Sequence, residues 1–123
     1  MRIAFSAVFV SDIERAKAFY RDTLGLKVVK EIPQAATVVF DADGTHLVIH
    51  TPSQKNLHKA QIGRSSGIIF QVPSVRQAHE ELSAKGVQFT KVPEATPNPD
   101  RQDDATFLDP DGNEFGLTDR SEF

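Results

Sequence analysis

The feature that most constrains this chain is that it says nearly the same thing twice. Val39-Phe40-Asp41-Ala42-Asp43-Gly44-Thr45-His46-Leu47 is echoed by Phe107-Leu108-Asp109-Pro110-Asp111-Gly112-Asn113-Glu114-Phe115. Each copy sets an Asp-Gly turn between two β-prone runs, with glycine supplying the positive φ that residues with a Cβ resist and Pro110 presetting φ in the second copy. The echo extends upstream, where Val10-Ser11-Asp12-Ile13 with Ala16 and Leu24-Gly25-Leu26 match Val72-Pro73-Ser74-Val75 with Ala78 and Lys85-Gly86-Val87. Each half therefore predicts a strand, a helix and three strands. Modules of about sixty residues would be marginal alone, so they are expected to share one core or to complete each other across a dimer.

Taken in order, Ile3–Val10 predicts a strand with Phe5, Ala7 and Phe9 on one face and Ala4, Ser6, Val8 and Val10 on the other. Both faces are apolar, which implies helices over one side of the sheet and a cavity over the other. Ser11 and Glu14 have capping-box spacing, Ile13, Ala16, Phe19/Tyr20 and Leu24 recur at helical spacing, and Gly25 is a stop. Strands follow at Lys27–Ile32, Ala36–Asp41 and Thr45–His50, joined by turns at Pro33-Gln34 and Ala42-Asp43-Gly44. Residues 52–64, polar and aperiodic, read as the linker. The second module runs through a strand at Ser66–Val72, a helix started by Ser74 with Gln77 and ended at Gly86, and strands at Val87–Val92, Asp104–Leu108 and Asn113–Thr118. The loop from Pro93 to Asp104 holds three prolines and reads as a border to a binding site or a mobile segment.

With 39% hydrophobic and 25% charged residues among 123, the composition is that of one soluble domain, residues 1–123, with internal modules 1–57 and 64–123. No run nears the roughly 20 apolar residues of a membrane helix, and the strand pattern starts too early for a signal peptide. There is no cysteine, hence neither disulfide nor thiolate chemistry, as expected of a cytoplasmic protein. A net charge of −3 without a basic cluster argues against nucleic acid. No nucleophile elbow or phosphate loop is present, and turn chemistry explains the paired Asp109 and Asp111.

Two βαβββ modules, Asp-Ile-Glu-Arg-Ala and Phe-Tyr-Arg-Asp-Thr-Leu-Gly-Leu within Asp12–Leu26, and Asp109-Pro110-Asp111-Gly112-Asn113 together resemble the vicinal oxygen chelate superfamily. That group includes glyoxalase I, extradiol dioxygenases, fosfomycin-resistance enzymes and bleomycin-resistance binding proteins. The resemblance implies an α+β fold in which two βαβββ modules form curled mixed sheets around a cup, helices on the outer face, commonly in a homodimer. It does not settle function, since the superfamily holds both enzymes and binders.

By the same resemblance, the positions from which His, Glu or Gln side chains hold a divalent ion in the superfamily's enzymes fall at Phe5, Val48, Gly67 and Gly116. None of these coordinates a metal through a side chain, so no metal and no cofactor is expected. His46 and His50 share a strand face with Val48, and a shifted site from His50, Gln71 and Glu114 is conceivable. His50 reads either as a strand-end histidine bonded to water or backbone, or as a neutral imidazole facing a ligand. His58 and His79 read as surface residues. Phe5, Phe9, Val48, His50, Gly67, Ile69, Gln71 and Gly116 are then the candidate ligand-binding set: an apolar cup, enlarged at its two glycines, with His50 and Gln71 to orient a ligand. The expectation is a metal-independent binder of the bleomycin-resistance type for a small hydrophobic or aromatic molecule such as an antibiotic. The alternative is a glyoxalase- or dioxygenase-like metalloenzyme with a non-standard metal site, or one using His50 as a general base.

Overall fold

The computed structural model describes residues 1–52, 60–94 and 103–120. His58 and most of the proline loop after Pro93 lie outside them. The chain divides into two units, the first made of Met1–Arg64 together with Pro110–Asn113, the second of Ser65–Asp109 with Glu114–Phe123. The second hairpin turn, Pro110–Asn113, thus belongs to the first unit. The reason is polar: Asn113, almost fully buried, accepts from Gly63 N–H through Oδ1 at 2.7 Å and donates from Nδ2 to the Phe9 carbonyl at 2.9 Å.

The first unit comprises β1 (Ser6–Phe9), α1 (Ile13–Ala18), β2 (Lys27–Ile32), β3 (Thr37–Asp41) and β4 (His46–His50). Its sheet has the order β1-β4-β3-β2, with β1 parallel to β4 and the other neighbours antiparallel. Strand alternation sends Val8, Val10, Val38, Phe40, Leu47 and Ile49 into a core shared with Ala16 and Tyr20. Burying such a side chain stabilises by about 1.5–3 kcal/mol, and this apolar layer holds α1 on the sheet. The strand expected from Ile3 starts only at Ser6, leaving Phe5 outside it and 57% exposed.

The N-cap of α1 is Asp12, which accepts from Arg15 N–H at 3.1 Å, rather than Ser11. Ser11 is engaged elsewhere: its N–H donates to Asp111 Oδ2 at 2.9 Å and its hydroxyl to Oδ1, while Arg15 Nη2 reaches the same Oδ1 at 2.8 Å. The helix does not run to Gly25 as a regular α-helix either. Residues Phe19–Thr23 widen into a π-turn closed by Leu24 N–H on the Phe19 carbonyl at 3.0 Å, and Tyr20 is fully buried 5.8 Å from the Phe40 ring.

The second unit comprises β5 (Ser65–Gln71), α2 (Val75–Ala84), β6 (Gln88–Lys91), β7 (Asp104–Leu108) and β8 (Glu114–Thr118), in the sheet order β5-β8-β7-β6. Ser74 caps α2 by accepting from Gln77 N–H at 3.2 Å, as its spacing predicts. The core is a slipped stack of aromatic rings, Phe70, Phe107 and Phe115, with centroids 5.5–6.3 Å apart and planes within 27° of parallel. Phe89 packs on Phe107 at 6.0 Å and receives the ring of His79 edge-on at 4.7 Å. His79 is thus half-buried packing, not the surface residue its helix position suggests. The fold is α+β, two βαβββ modules each with one open four-stranded mixed sheet.

The second hairpin turn is one residue longer than the first. Phe40 pairs with Leu47 across four intervening turn positions beyond the Asp41–His46 pair, whereas Phe107 pairs with Phe115 beyond Leu108–Glu114 and five. Aligning the repeat on its turns therefore slips by one residue upstream, and the structural counterpart of Phe107 is Phe40, not Val39.

Candidate functional site

On the face of the first sheet turned away from α1, pairing sets Phe9 beside His50 and His50 beside Thr37, giving one row of side chains across β1, β4 and β3. The Phe9 and His50 rings meet edge to face at 6.1 Å and 74°. His50 Nδ1 lies 2.7 Å from Thr37 Oγ1, whose hydroxyl donates to the Ala35 carbonyl at 2.9 Å. The next row is Ala7, Val48 and Val39. Of the expected residues, Phe9, Val48 and His50 thus share one open face, with Phe5 one residue beyond the end of β1. Thr37 was not foreseen; only the register of β3 on β4 reveals it, because the turn-based alignment of the repeat does not align this strand.

The second sheet turns a different surface outward. Gln71 pairs with Thr118 and Ile69 with Gly116, while Ser65 pairs with Glu114, so β5 carries two extra residues between these points. Gly67 takes up the excess at φ +72°, a left-handed conformation, and the Ser66 hydroxyl closes the gap by donating to the Glu114 carbonyl at 2.7 Å and accepting from Ile68 N–H at 3.1 Å. Around this bulge lies a cavity of about 640 Å³, with Gly67, Ile69 and Gly116 in its floor and Thr106 and Glu114 in its wall. That volume is within the roughly 300–1,000 Å³ of small-molecule sites.

Gly116 does not enlarge this cavity as expected. A Cβ built there would sit 3.0 Å from Ile69 Cγ1 and 3.3 Å from Cγ2, because the branched side chain on the neighbouring parallel strand leans across it. Gly67 has open space above it. Gln71 lies at the exposed end of β5.

Electrostatics at the cavity follow from counting hydroxyl protons. Thr90 donates to Glu114 Oε2 at 2.9 Å, so the 2.5 Å contact between Thr106 and Thr90 has Thr106 as donor. Both hydroxyl protons run toward the carboxylate. Of the nearby cations, Lys91 pairs with Asp104 at 2.7 Å and Arg76 with Asp103 at 2.9 Å. Among the described residues Glu114 has no cationic partner within ion-pair distance, and no three His, Asp or Glu side chains gather closely enough to hold a metal ion.

The Glyoxalase/Bleomycin resistance protein/Dioxygenase superfamily model matches residues 2–117. The chain belongs to that superfamily. A superfamily member from Sphaerobacter thermophilus DSM 20745 is 32% identical with a TM-score of 0.80, covering 96% of this chain and 97% of its own. TnmS3, an antibiotic-binding protein from Streptomyces sp. CB03234, is 26% identical with a TM-score of 0.72, covering 96% and 94%. A lactoylglutathione lyase from Agrobacterium tumefaciens, 21% identical with a TM-score of 0.71 and covering 95% and 92%, shares the fold. The superfamily's enzymes imply a divalent ion, and the residues at its positions here do not fit one: Phe5, Val48 and Gly67 offer no ligand atom, and at Gly116 even a Cβ would crowd Ile69. No helix among the described residues is long and apolar enough to cross a membrane.

Proposed function

We propose that this protein binds a small, flat, hydrophobic or aromatic molecule, an antibiotic or a compound of similar character, without the superfamily's metal. The observation that carries this reading is Ile69 lying over Gly116: the place where a liganding carboxylate would project is filled by an aliphatic side chain. Support comes from the apolar floor of the second unit's cavity, from the half-buried aromatic and imidazole row of the first, and from likeness to an antibiotic-binding protein. In the first unit burial of a ring against Phe9 supplies affinity and His50 orients the ligand; in the second, Ile69 supplies the apolar contact and Gln71 and Glu114 the orienting groups. Phe5, Val48 and Gly67 complete the binding faces. The absence of cysteine suits a cytoplasmic home, and the two open sheets suit a homodimer.

Thermal-shift titration against a panel of aromatic compounds, with and without added Ni²⁺, Zn²⁺, Mn²⁺ and Fe²⁺, tests the reading. A ligand at a hundred times its dissociation constant stabilises by about 2.7 kcal/mol, which raises Tm by several degrees. Ligand-dependent shifts that need no metal are expected. Stoichiometric metal retained on purification and lost in His50→Ala overturns the proposal.

A further inference from the structure

The row Phe9–His50–Thr37 contains more information than its shape. A hydroxyl has one proton, and that of Thr37 is spent on the Ala35 carbonyl, which only accepts. The carbonyl is held in place by its turn: Pro33–Ala35 forms a single 3-10 turn, Ala36 follows at φ +46°, Ala36 N–H donates to the Pro33 carbonyl at 3.1 Å, and Thr51 N–H donates to the Ala36 carbonyl at 3.0 Å. Thr37 Oγ1 therefore meets His50 as an acceptor, and the proton in their 2.7 Å contact belongs to Nδ1. With the neutral ring protonated at Nδ1, Nε2 carries a lone pair, and among the described residues it has no hydrogen-bond partner. The edge-to-face contact with Phe9 and the bond from Nδ1 to Thr37 fix its orientation.

We infer that Thr37 locks His50 in the Nδ1–H tautomer and so makes the first sheet's open face select ligands that bring a hydrogen-bond donor, a phenolic or alcoholic O–H or an N–H, to Nε2. Thr37 is a positioning residue in this scheme, acting through His50 rather than on the ligand. The inference rests on the binding function proposed above for its ligand clause, and on the hydrogen bonds alone for its tautomer clause. A ligand presenting a carbonyl or ether oxygen at the same place would oppose two lone pairs and gain nothing there.

The test uses protein labelled with ¹⁵N in its four histidines, with His50 assigned by comparison with His50→Gln. Long-range ¹H–¹⁵N correlation above the pH range of histidine titration is expected to show His50 Nδ1 with the shift of a protonated, pyrrole-like nitrogen and Nε2 with that of a bare, pyridine-like one. In Thr37→Val the pair is expected to move toward the Nε2–H form. A bare Nδ1 in the native protein, or an unchanged pattern in Thr37→Val, overturns the tautomer lock. The matched probes 2-naphthol and 2-methoxynaphthalene are then titrated against both proteins. The naphthol is expected to bind about tenfold tighter than its ether, to shift Nε2, and to lose that preference in Thr37→Val. Equal binding of the two probes with the tautomer intact overturns donor selection but leaves the binding function standing. Binding of neither overturns the ligand clause together with that function, while the nitrogen shifts still decide the tautomer.

Discussion

In the first unit the row nearest the end of the parallel pair reads Phe9, His50, Thr37; in the second, register places Gln71, Thr118 and Asp104 in the corresponding row. One row back, Ala7, Val48 and Val39 in the first correspond to Ile69, Gly116 and Thr106 in the second. Each large side chain thus meets a small one: alanine supports valine in one copy, and isoleucine covers glycine in the other. The cores diverge as well, a mainly aliphatic layer with Tyr20 and Phe40 against a stack of phenylalanines. The same strand order has been kept while the outward faces went separate ways, one toward rings and imidazole, the other toward an aliphatic floor beside a carboxylate. Topology constrains the strand order and the buried face, and leaves the open face free to diverge.

The cores offer the harshest trial of that contrast. Phe40 and Phe107 are structural counterparts and both are fully buried, so truncation of either to alanine is expected to cost about 3–5 kcal/mol in urea unfolding. Among the described residues Phe107 contacts three rings and Phe40 one, so Phe107→Ala should exceed Phe40→Ala by roughly 1 kcal/mol. Equal losses would mean that the stack adds nothing beyond buried area.

The turns differ more subtly. Asp111 accepts from Ser11 and Arg15, its side chain only 8% exposed, whereas Asp43 stands exposed in the matching turn at φ +55°. Asp111→Asn should cost about 1–2 kcal/mol, and Asp43→Asn less than about 0.5, since asparagine also tolerates the left-handed region. A comparable effect of both would show that the turn itself, not its reach to Ser11, is what matters.

Much of the architecture was readable because it is local. Lys27–Ile32 and Asp104–Leu108 are strands to the residue, and Ser74 caps α2, because alternation and cap spacing act within a few positions. What the sequence hid depends on partners far along the chain. Ser11 looks like a cap until Asp111, a hundred residues away, claims its hydroxyl. The π-turn at Phe19–Thr23 follows from where Tyr20 must sit against Phe40, which no helical pattern encodes. Of the candidate site, the alternation of Phe9, Val48 and His50 was legible, while the roles of Thr37, Ile69 and Glu114 required the register, the bulge and the longer second turn.

The bulge gives a gentler test. Gly67→Ala must place a Cβ at φ +72°, costing about 1–2 kcal/mol through backbone strain, although the space above is open. The uninterrupted β1–β4 ladder of the first unit has no such sensitive position. If Gly67→Ala is silent, β5 has relaxed and the cavity outline should change with it, a difference visible in the ¹H–¹⁵N shifts of Ile69 and Glu114.

The smallest effect concerns α1. Lys17 donates to Glu31 at 2.8 Å and pairs with Glu14 at 3.1 Å, and these bonds, Glu31 first, hold its ammonium above the ordinary lysine range. A raised folded-state value means the contribution is complete below the ordinary lysine pKa and is lost as pH rises through the folded one. Lys17→Met should therefore lower Tm slightly at neutral pH and converge with the native protein in strong alkali. A gap that persists there would assign the effect to packing of the lysine stem instead.

Asn113 ties Gly63 and the Phe9 carbonyl together from near the far end of the chain. During synthesis, β1 through β4 leave the ribosome long before that residue exists. The first unit is thus first to be made but cannot be finished until the second has almost completely emerged, and a ribosome stalled before Asn113 would hold a nascent chain whose leading half lacks its last two fastenings.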